Sequence, residues 1–593
     1  MLKSIYYKIN KWRLKLNSQR NFLMYCSVIV GLFGGLAAVA LKYLVHLMED
    51  LSRNIASYFP YHFIYVFLPA LGIFFTVVYL HLINRDTIQK GIGGILFNIK
   101  RNRSNIRINN VYSHLISSSL TVGFGGSSGL EAPIVCTGAA IGSNTGRLFN
   151  LTAYEKTVLL AAAASAGIAA VFNSPIAGVL FSLELLIGEI TIPTFIPLLI
   201  ASATGVVVSK ALYSKQLFHL VTEGWVMQAL PFYVLLAILS GCVSVYIANV
   251  AGKLEKGILK KQNRYVRALV GGLILGLIIL VFPPLFGEGY HDLQEVLNGN
   301  IETITADSIF SQYLNHPLAL LGFIALLVFM KIVATGITIG SGGNGGTFAP
   351  TMFTGGFLGL FVAYSVNQTG LIHLNTSNFI AVGMAGALSG VLHAPLTAIF
   401  LIAEITGGYV LFIPLMIVSA ISYIISRYFN PHNMYWHELV HEKNIHPGHD
   451  DAMMNAISLD SVINRQFTAI SKDASLKDFY KLLSRTQTNI FAVLDADKAL
   501  EGVVLIDDIR RQLFDEEMKM HTIAEFMVTP PVIITHDQSV SSVMKLFDQL
   551  DVWQLPVVKD GQFVGFVSKS ALLAKYRDAF IKQHKENDIF ATK

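Results

Sequence analysis

The sequence carries little charge for its length. Only 14% of its 593 residues are Asp, Glu, Lys or Arg, whereas 53% are hydrophobic and the mean hydropathy is +0.54. This composition excludes a soluble protein. The formal net charge of +6 is small and dispersed over a long chain, so we expect no nucleic-acid partner.

Cysteine is scarce and scattered. Cys26, Cys136 and Cys242 form no CxxC pair, which argues against a disulfide framework and against a metal site. A removable signal peptide is not indicated either, because the basic leader, residues 1–21, runs into a long apolar stretch without a cleavage site. We expect the leader to lie in the cytoplasm by the positive-inside rule.

Long apolar runs occupy the first three quarters of the chain. A bilayer core about 30 Å thick needs about 20 apolar residues per helix. Nine runs are predicted to span it: 22–48, 62–83, 156–187, 193–213, 230–250, 268–287, 317–340, 378–405 and 409–427. Two glycine-rich pieces, 112–150 and 341–366, are too interrupted for simple spans. We expect the functional chemistry there, because irregular backbone at membrane depth must be buried in protein or line a wet cavity.

The two glycine-rich pieces repeat each other. The segment GLEAP at 129–133 aligns with GTFAP at 346–350, an offset of 217 residues, and 169–184 aligns with 389–404 at an offset of 220. The membrane region 22–437 is therefore predicted to contain two homologous halves, 22–215 and 230–437, with broken helices at matching positions. Helix N-termini attract anions through their free N–H groups and dipole, so a small anion is the expected guest.

The C-terminal quarter repeats itself as well. DASLKDFYKLL at 473–483 and DQSVSSVMKLF at 537–547 lie 64 residues apart, and each is followed by a short strand and Gly-x-Val. This pattern resembles a pair of CBS modules over 455–580, between a linker at 438–454 and a tail at 581–593. The resemblance makes adenine nucleotide a candidate ligand, with Asp508 and Ser568 as incomplete half-sites, and a purely dimerising role stays open.

With these halves and this tail, the chain resembles the CLC family of chloride channels and chloride/proton exchangers. The implied fold is an all-α polytopic membrane domain with two inverted-repeat halves, followed by a cytoplasmic α/β CBS pair. The resemblance further implies a voltage-gated, multi-pass homodimer in the cell (inner) membrane that moves chloride, possesses cytoplasmic termini, requires no cofactor and is not an enzyme.

The resemblance assigns the anion pathway to three glycine-rich segments and a tyrosine near the end of the last membrane helix. Lys90 stands where the family usually has a serine hydroxyl, and we interpret it as an anion ligand, a partner of Glu131 or an interfacial lysine. The predicted anion-binding positions are Lys90, Gly91, Ile92, Gly129, Ala132, Gly346, Thr347, Phe348, Ala349 and Tyr435.

Glu131 is the predicted gate. A carboxylate within an apolar, glycine-rich membrane segment is costly and indicates function, the alternative being a structural glutamate paired to a neighbour. By the family mechanism, the ionised side chain occupies an anion site and the protonated one swings out. We therefore expect Glu131→Gln or Ala to leave the path open and insensitive to pH.

Proton coupling is disfavoured by the resemblance, because the internal proton-transferring glutamate of the family's exchangers corresponds to Leu185 here. Glu184 beside it aligns with Glu404, which favours a helix-end role for both, while Glu184 and Glu189 stay candidate proton relays. The missing carboxylate favours a passive channel or weakly coupled exchanger over a coupled chloride/proton antiporter.

One alternative belongs to another class. His437, Glu438 and His441 satisfy the HExxH pattern of a zinc metalloprotease. They lie at the end of the last span with no cleft-forming domain around them, so hydrolase chemistry is disfavoured and we predict no metal.

Overall fold

The computed structural model describes residues 19–57, 62–83, 91–188, 191–213, 224–257, 263–306, 308–314, 316–443, 457–486, 488–510, 520–550 and 552–588. These residues fall into two compact units, one ending at residue 443 and the other starting at residue 457. The first unit is helical, and the second contains two small sheets with helices.

Helices of the first unit fall into two sets that follow the predicted halves. The first set is α1 (Gln19–Ser57), α2 (Leu68–Val78), α3 (Gly91–Arg101), α4 (Asn110–Gly123), α5 (Glu131–Leu148), α6 (Ala153–Phe172), α7 (Pro175–Phe181) and α8 (Ile192–Leu212). The second set is α9 (Leu230–Gly257), α10 (Arg264–Val281), α11 (Tyr290–Leu297), α12 (Thr303–Ala306), α13 (Pro317–Gly340), α14 (Phe348–Thr369), α15 (Thr376–Leu392), α16 (Pro395–Ile405), α17 (Phe412–Phe429) and α18 (Met434–Lys443).

Nine helical segments among the described residues are long and apolar enough to cross a bilayer. They are Asn21–Ile55, Ile64–Leu82, Ala153–Phe172, Ile192–Leu212, Met227–Glu255, Arg264–Val281, Pro317–Gly340, Phe348–Thr369 and Phe412–His437. The shorter apolar helices α7, α15 and α16 pack among them. The mostly helical, many-span architecture predicted from the apolar runs is confirmed.

Two predicted spans are broken in the structure. The run 378–405 divides into α15 and α16 at His393, whose φ is +55°, and the run 156–187 divides at Asn173 with the same φ of +55°. A proline follows two residues later in both places and starts the next helix. Apolar composition alone does not reveal such a break, so predicting each run as one span was wrong.

The glycine-rich piece 341–366 was predicted to be interrupted, but it is largely continuous in the structure. It contains α14, a continuous helix of 22 residues. Its glycines lie against a neighbouring helix rather than at bends: a Cβ at Gly355 would collide with the carbonyl of Gly383, and one at Gly359 with that of Phe379. Glycine here allows α14 and α15 to approach closely, as in other membrane helix pairs.

The two halves correspond helix by helix. At offsets of 217 to 220 residues, α4 to α8 align with α13 to α17. Backbone contacts between the halves are also duplicated: the Ser127 N–H donates to the Thr338 hydroxyl at 3.1 Å, and the Asn344 N–H donates to the Thr121 hydroxyl at 3.0 Å. Each bond becomes the other when the halves exchange roles, which is the signature of a local two-fold axis.

The second unit contains two copies of one motif. In the first, β1 (Ala469–Ile470) pairs in parallel with β2 (Ile490–Leu494), which pairs antiparallel with β3 (Leu500–Leu505). In the second, β4 (Ile534–Thr535), β5 (Gln554–Lys559) and β6 (Gln562–Ser568) pair in the same order. The helices are α19 (Leu476–Leu483), α20 (Ile506–Ile509), α21 (Val540–Leu550) and α22 (Lys569–Asp588). The predicted duplication of this region is confirmed.

Candidate functional site

The two repeated glycine-rich segments meet inside the first unit. The Gly129 N–H donates to the Gly346 carbonyl and the Gly346 N–H donates to the Gly129 carbonyl, each at 2.8 Å. These antiparallel bonds lie on the local two-fold axis. The structure therefore places the N-terminal turns of α5 and α14 next to each other, and both turns are buried.

Both helices begin in a way that leaves their first amides without a partner inside the helix. Neither start has a side-chain cap from its own N-cap residue, and the prolines at 133 and 350 fall in the first turn, where a missing N–H breaks no helical bond. Free amides and the positive ends of two helix dipoles thus point into one buried region. Such a region stabilises a negative charge without requiring a cation.

Glu131 fills that region in the structure. It is the first residue of α5 and only 1% exposed. Its carboxylate accepts a hydrogen bond of 2.7 Å from the Tyr290 hydroxyl and a longer one of 3.4 Å from the Ala349 N–H at the start of α14. A Cβ at Gly129 would collide with this carboxylate, so the carboxylate can rest here only beside a residue without a side chain. The carboxylate occupies a position suited to a small anion.

The repeat is asymmetric at this point. The position that holds Glu131 in the first half holds Phe348 in the second. The Phe348 side chain is buried and its ring lies 5.8 Å from that of Phe172 and 6.1 Å from that of Phe181. One half therefore supplies an ionisable group to the site, and the other supplies an apolar wall.

The remaining predicted anion-binding positions lie around α3 and α18. The Cys136 thiol in α5 donates to the Gly91 carbonyl at 3.4 Å, and Ile92 is fully buried. At α18 the Thr347 hydroxyl contacts the Met434 sulfur at 3.5 Å, and the Tyr435 hydroxyl is buried close to Thr347. Of this group of predicted positions, Lys90 lies outside the described residues.

Glu184 and Glu404 are engaged elsewhere. The Glu184 carboxylate accepts from the N–H groups of Leu396 and Thr397 at 3.1 and 2.8 Å, and from the Thr397 hydroxyl at 2.6 Å. Glu404 accepts from the N–H groups of Ile176 and Ala177 at 3.1 and 2.9 Å. Both carboxylates therefore cap helix starts in the opposite half. Glu189, the other candidate relay, lies outside the described residues.

Three residues near the site were missed by the sequence analysis. Tyr290 donates to Glu131, and Glu288 accepts from the Leu130 N–H at 3.0 Å. Lys331 in α13 is fully buried and donates to the Gly287 carbonyl at 2.9 Å. A lone lysine in the apolar run 317–340 was a usable sequence signal for Lys331. The segment that carries Glu288 and Tyr290 shows no comparable signal.

The metalloprotease positions receive no support. The side chains of Glu438 and His441 lie outside the described residues, and no group of three His, Cys, Asp or Glu side chains able to hold a metal occurs among those described. In the CBS pair, the Asp508 side chain is also outside the described set. The Ser568 hydroxyl accepts from the Ala571 N–H at 3.1 Å, so it caps the start of α22.

Several spans around paired, buried helix starts define an integral, multi-pass membrane protein. Residues 72–427 match the voltage gated chloride channel family, and residues 459–515 and 523–578 match the CBS domain. The chain belongs to this family of chloride channels and transporters, the CLC family.

Individual relatives agree with this assignment. A ClcB-like chloride channel protein of Ralstonia nicotianae is 30% identical over 321 residues, which cover 52% of this chain and 70% of that protein. The solved structure of a slow cyanobacterial Cl−/H+ antiporter aligns with a TM-score of 0.60 at 20% identity, over 72% of this chain and all of that one (100%). A CLC-type fluoride/proton antiporter aligns with a TM-score of 0.57 at 23% identity, over 70% and 97%. These structural likenesses concern the fold.

Proposed function

We propose that the chain carries chloride or a similar small anion across the membrane, past the starts of α5 and α14, with Glu131 as the gate. The observation that carries the proposal is the Glu131 carboxylate resting on the Ala349 N–H between two buried helix starts. A permeant anion would use the same amides when the carboxylate is protonated and moves aside. Gly91, Ile92, Thr347 and Tyr435 would line the path beyond it.

Transport without strict proton coupling is the favoured mode. Leu185 replaces the internal proton glutamate of the family's exchangers, and Glu184 is occupied as a helix cap. Coupled chloride/proton exchange is the alternative, because Glu131 is itself a group that can bind and release a proton. Liposome reversal potentials under crossed chloride and proton gradients distinguish the two, since a passive channel ignores the proton gradient.

The gate is tested by chloride efflux from proteoliposomes containing Glu131→Gln. We expect efflux that persists at neutral pH and no longer changes with acidification. Glu155→Gln is the matched control, because Glu155 is also buried at a helix start but caps α6 together with Thr152. Efflux that stays pH-gated in Glu131→Gln refutes the assignment, and anion replacement in the same assay gives the ion preference.

The remaining expectations concern assembly and regulation. We propose a homodimer with one pathway per subunit. We place it in the inner membrane, with both termini on the cytoplasmic side. Adenine nucleotide is a candidate ligand of the CBS pair, although Ser568 is engaged in a helix cap. Calorimetric titration of the detergent-solubilised protein with ATP tests that ligand. Unchanged heat of binding in Ser568→Ala would show that Ser568 caps α22 without binding the nucleotide.

A further inference from the structure

The gate lies beside a second acidic side chain. Glu288 belongs to the loop between α10 and α11, and its carboxylate accepts from the Leu130 N–H at 3.0 Å. Leu130 immediately precedes Glu131, so the two carboxylates are held at the same helix start. Glu288 is half-buried, whereas Glu131 is almost fully buried.

Lys331 provides the opposite charge. Its side chain is fully buried, and its ammonium donates to the carbonyls of Gly287 at 2.9 Å and Leu285 at 3.5 Å. The same ammonium lies 4.7 Å from the centre of the Phe353 ring. It therefore fixes the loop that carries Glu288, and it is close enough to interact with that carboxylate electrostatically.

The loop also supplies the hydroxyl that holds the gate. Tyr290 lies two residues after Glu288 and donates to Glu131 at 2.7 Å. The loop thus presents a negative group and a hydrogen-bond donor to the start of α5 together. Gly289 between them has a φ of +84°, a left-handed conformation that glycine adopts readily.

We propose that Glu288 sets the acidity at which Glu131 opens the anion path, and that Lys331 supports Glu288 by favouring its ionised form. This inference rests on the proposed function. A negative charge beside Glu131 favours its protonated, open form, and a cation beside Glu288 favours the charged form of that neighbour. The pair acts through charge and holds no anion itself, so Glu288 and Lys331 are positioning residues.

Other titratable groups among the described residues act on the pair electrostatically. Glu131, Tyr290 and Glu49 in α1 act on Glu288, and Asp292 in α11 acts on Lys331. Glu49 and Asp292 stay unchanged in the variants below.

The test is the pH dependence of chloride efflux in Glu288→Gln proteoliposomes. Glutamine keeps the acceptor for the Leu130 N–H but removes the charge, so the helix start should stay intact. Losing the negative neighbour makes Glu131 harder to protonate. We expect the midpoint of acid activation to move to lower pH by about one unit, with the maximal efflux unchanged.

Lys331→Met should move the same midpoint to lower pH, because it removes the cation that favours the ionised form of Glu288. Lys331→Arg keeps the charge and should restore the wild-type midpoint if the larger group is accommodated. Should Lys331→Met fail to fold, Glu288→Gln alone decides the proposal. A midpoint in Glu288→Gln equal to that of the wild type overturns it, since a purely structural cap would be preserved by glutamine.

The double variant Glu131→Gln/Glu288→Gln separates this inference from the proposed function. If Glu131 is the gate, the double variant matches Glu131→Gln and shows no pH dependence. An unshifted midpoint in Glu288→Gln, together with pH-independent efflux in Glu131→Gln, rejects the inference and leaves the gate in place. Efflux that remains pH-gated in Glu131→Gln rejects the gate itself.

Discussion

Glu184 and Glu404 cap each other's helices. Glu184 follows α7 and accepts from the first amides of α16, whereas Glu404 lies near the end of α16 and accepts from the first amides of α7. The exchange is symmetric about the local two-fold axis that also relates Gly129 to Gly346. A carboxylate at a buried helix start satisfies free N–H groups and meets the positive end of the dipole. The two halves are thus joined by two equivalent caps, in each of which a carboxylate of one half accepts hydrogen bonds from a helix start of the other.

Removing either cap should destabilise the protein. Glu184→Ala and Glu404→Ala each leave two helix-start amides without an acceptor, and we expect each to cost about 1–2 kcal/mol, as for other helix caps. Glu184→Ala should cost more, because it also leaves the Thr397 hydroxyl without its acceptor. Thermal unfolding in detergent measures both.

Glutamine at the same positions is the control, since it retains one acceptor for the amides. Glu184→Gln should lose less stability than Glu184→Ala and should leave the reversal potential under a proton gradient unchanged. A changed reversal potential with unchanged stability would identify Glu184 as a proton relay and contradict the capping role.

The Tyr290 hydroxyl should hold the gate closed. Tyr290→Phe removes the donor to the ionised Glu131 carboxylate, a charge-assisted bond worth about 1.5–3 kcal/mol. The open form then becomes more populated, so chloride efflux at neutral pH should rise by about tenfold or more. Chloride efflux from proteoliposomes at a fixed, neutral pH measures the change.

Tyr233→Phe provides a matched control for that prediction. Tyr233 is also buried, but its hydroxyl pairs with Asn378. Its loss should lower stability slightly without altering the pH profile. Equal efflux in the two phenylalanine variants and the wild type would show that Tyr290 only packs against the gate.

The first CBS module should depend on an aromatic pair. The rings of Phe479 in α19 and Phe491 in β2 lie 4.8 Å apart and are fully buried. Phe479→Ala leaves a cavity and should cost about 3–5 kcal/mol. Limited proteolysis of the full-length protein should then cut within 457–510, whereas the exposed substitution Lys477→Ala on the same helix should not increase cleavage.

Periodicity and repetition made much of the fold predictable. The 217-residue offset aligns a proline, an alanine and several glycines, and a register kept over such residues reports a duplicated structure rather than composition. The breaks at Asn173 and His393 were not predicted, because a left-handed residue before a proline leaves the apolar run uninterrupted. Hydropathy reports the preference of side chains for an apolar environment and does not respond to a change in backbone direction.

The candidate site was predictable only at residues whose side chains are energetically costly to place in a membrane segment. Glu131 stands out because a carboxylate in a glycine-rich membrane segment needs a reason. Its partner Tyr290 lies 159 residues away, and only tertiary packing brings the two together. Glu288 lies in a short loop where an acidic residue is unremarkable from sequence alone, so its contact with Leu130 required coordinates.

The junction of Gly129 and Gly346 offers the sharpest test of the paired helix starts. A methyl group at 129 collides with the Glu131 carboxylate and lies 2.8 Å from the Ala349 Cβ, whereas one at 346 lies 2.7 Å from the Ala132 Cβ and does not meet the carboxylate. Both alanine variants are overpacked and should lose about 1–3 kcal/mol of stability. Only Gly129→Ala should also expel the gate, giving efflux at neutral pH with a weakened acid response. Gly346→Ala is the matched control and should keep the wild-type pH midpoint at reduced efflux. If the two variants shift the midpoint equally, the carboxylate does not rest at this junction, and the gate must lie elsewhere along the path.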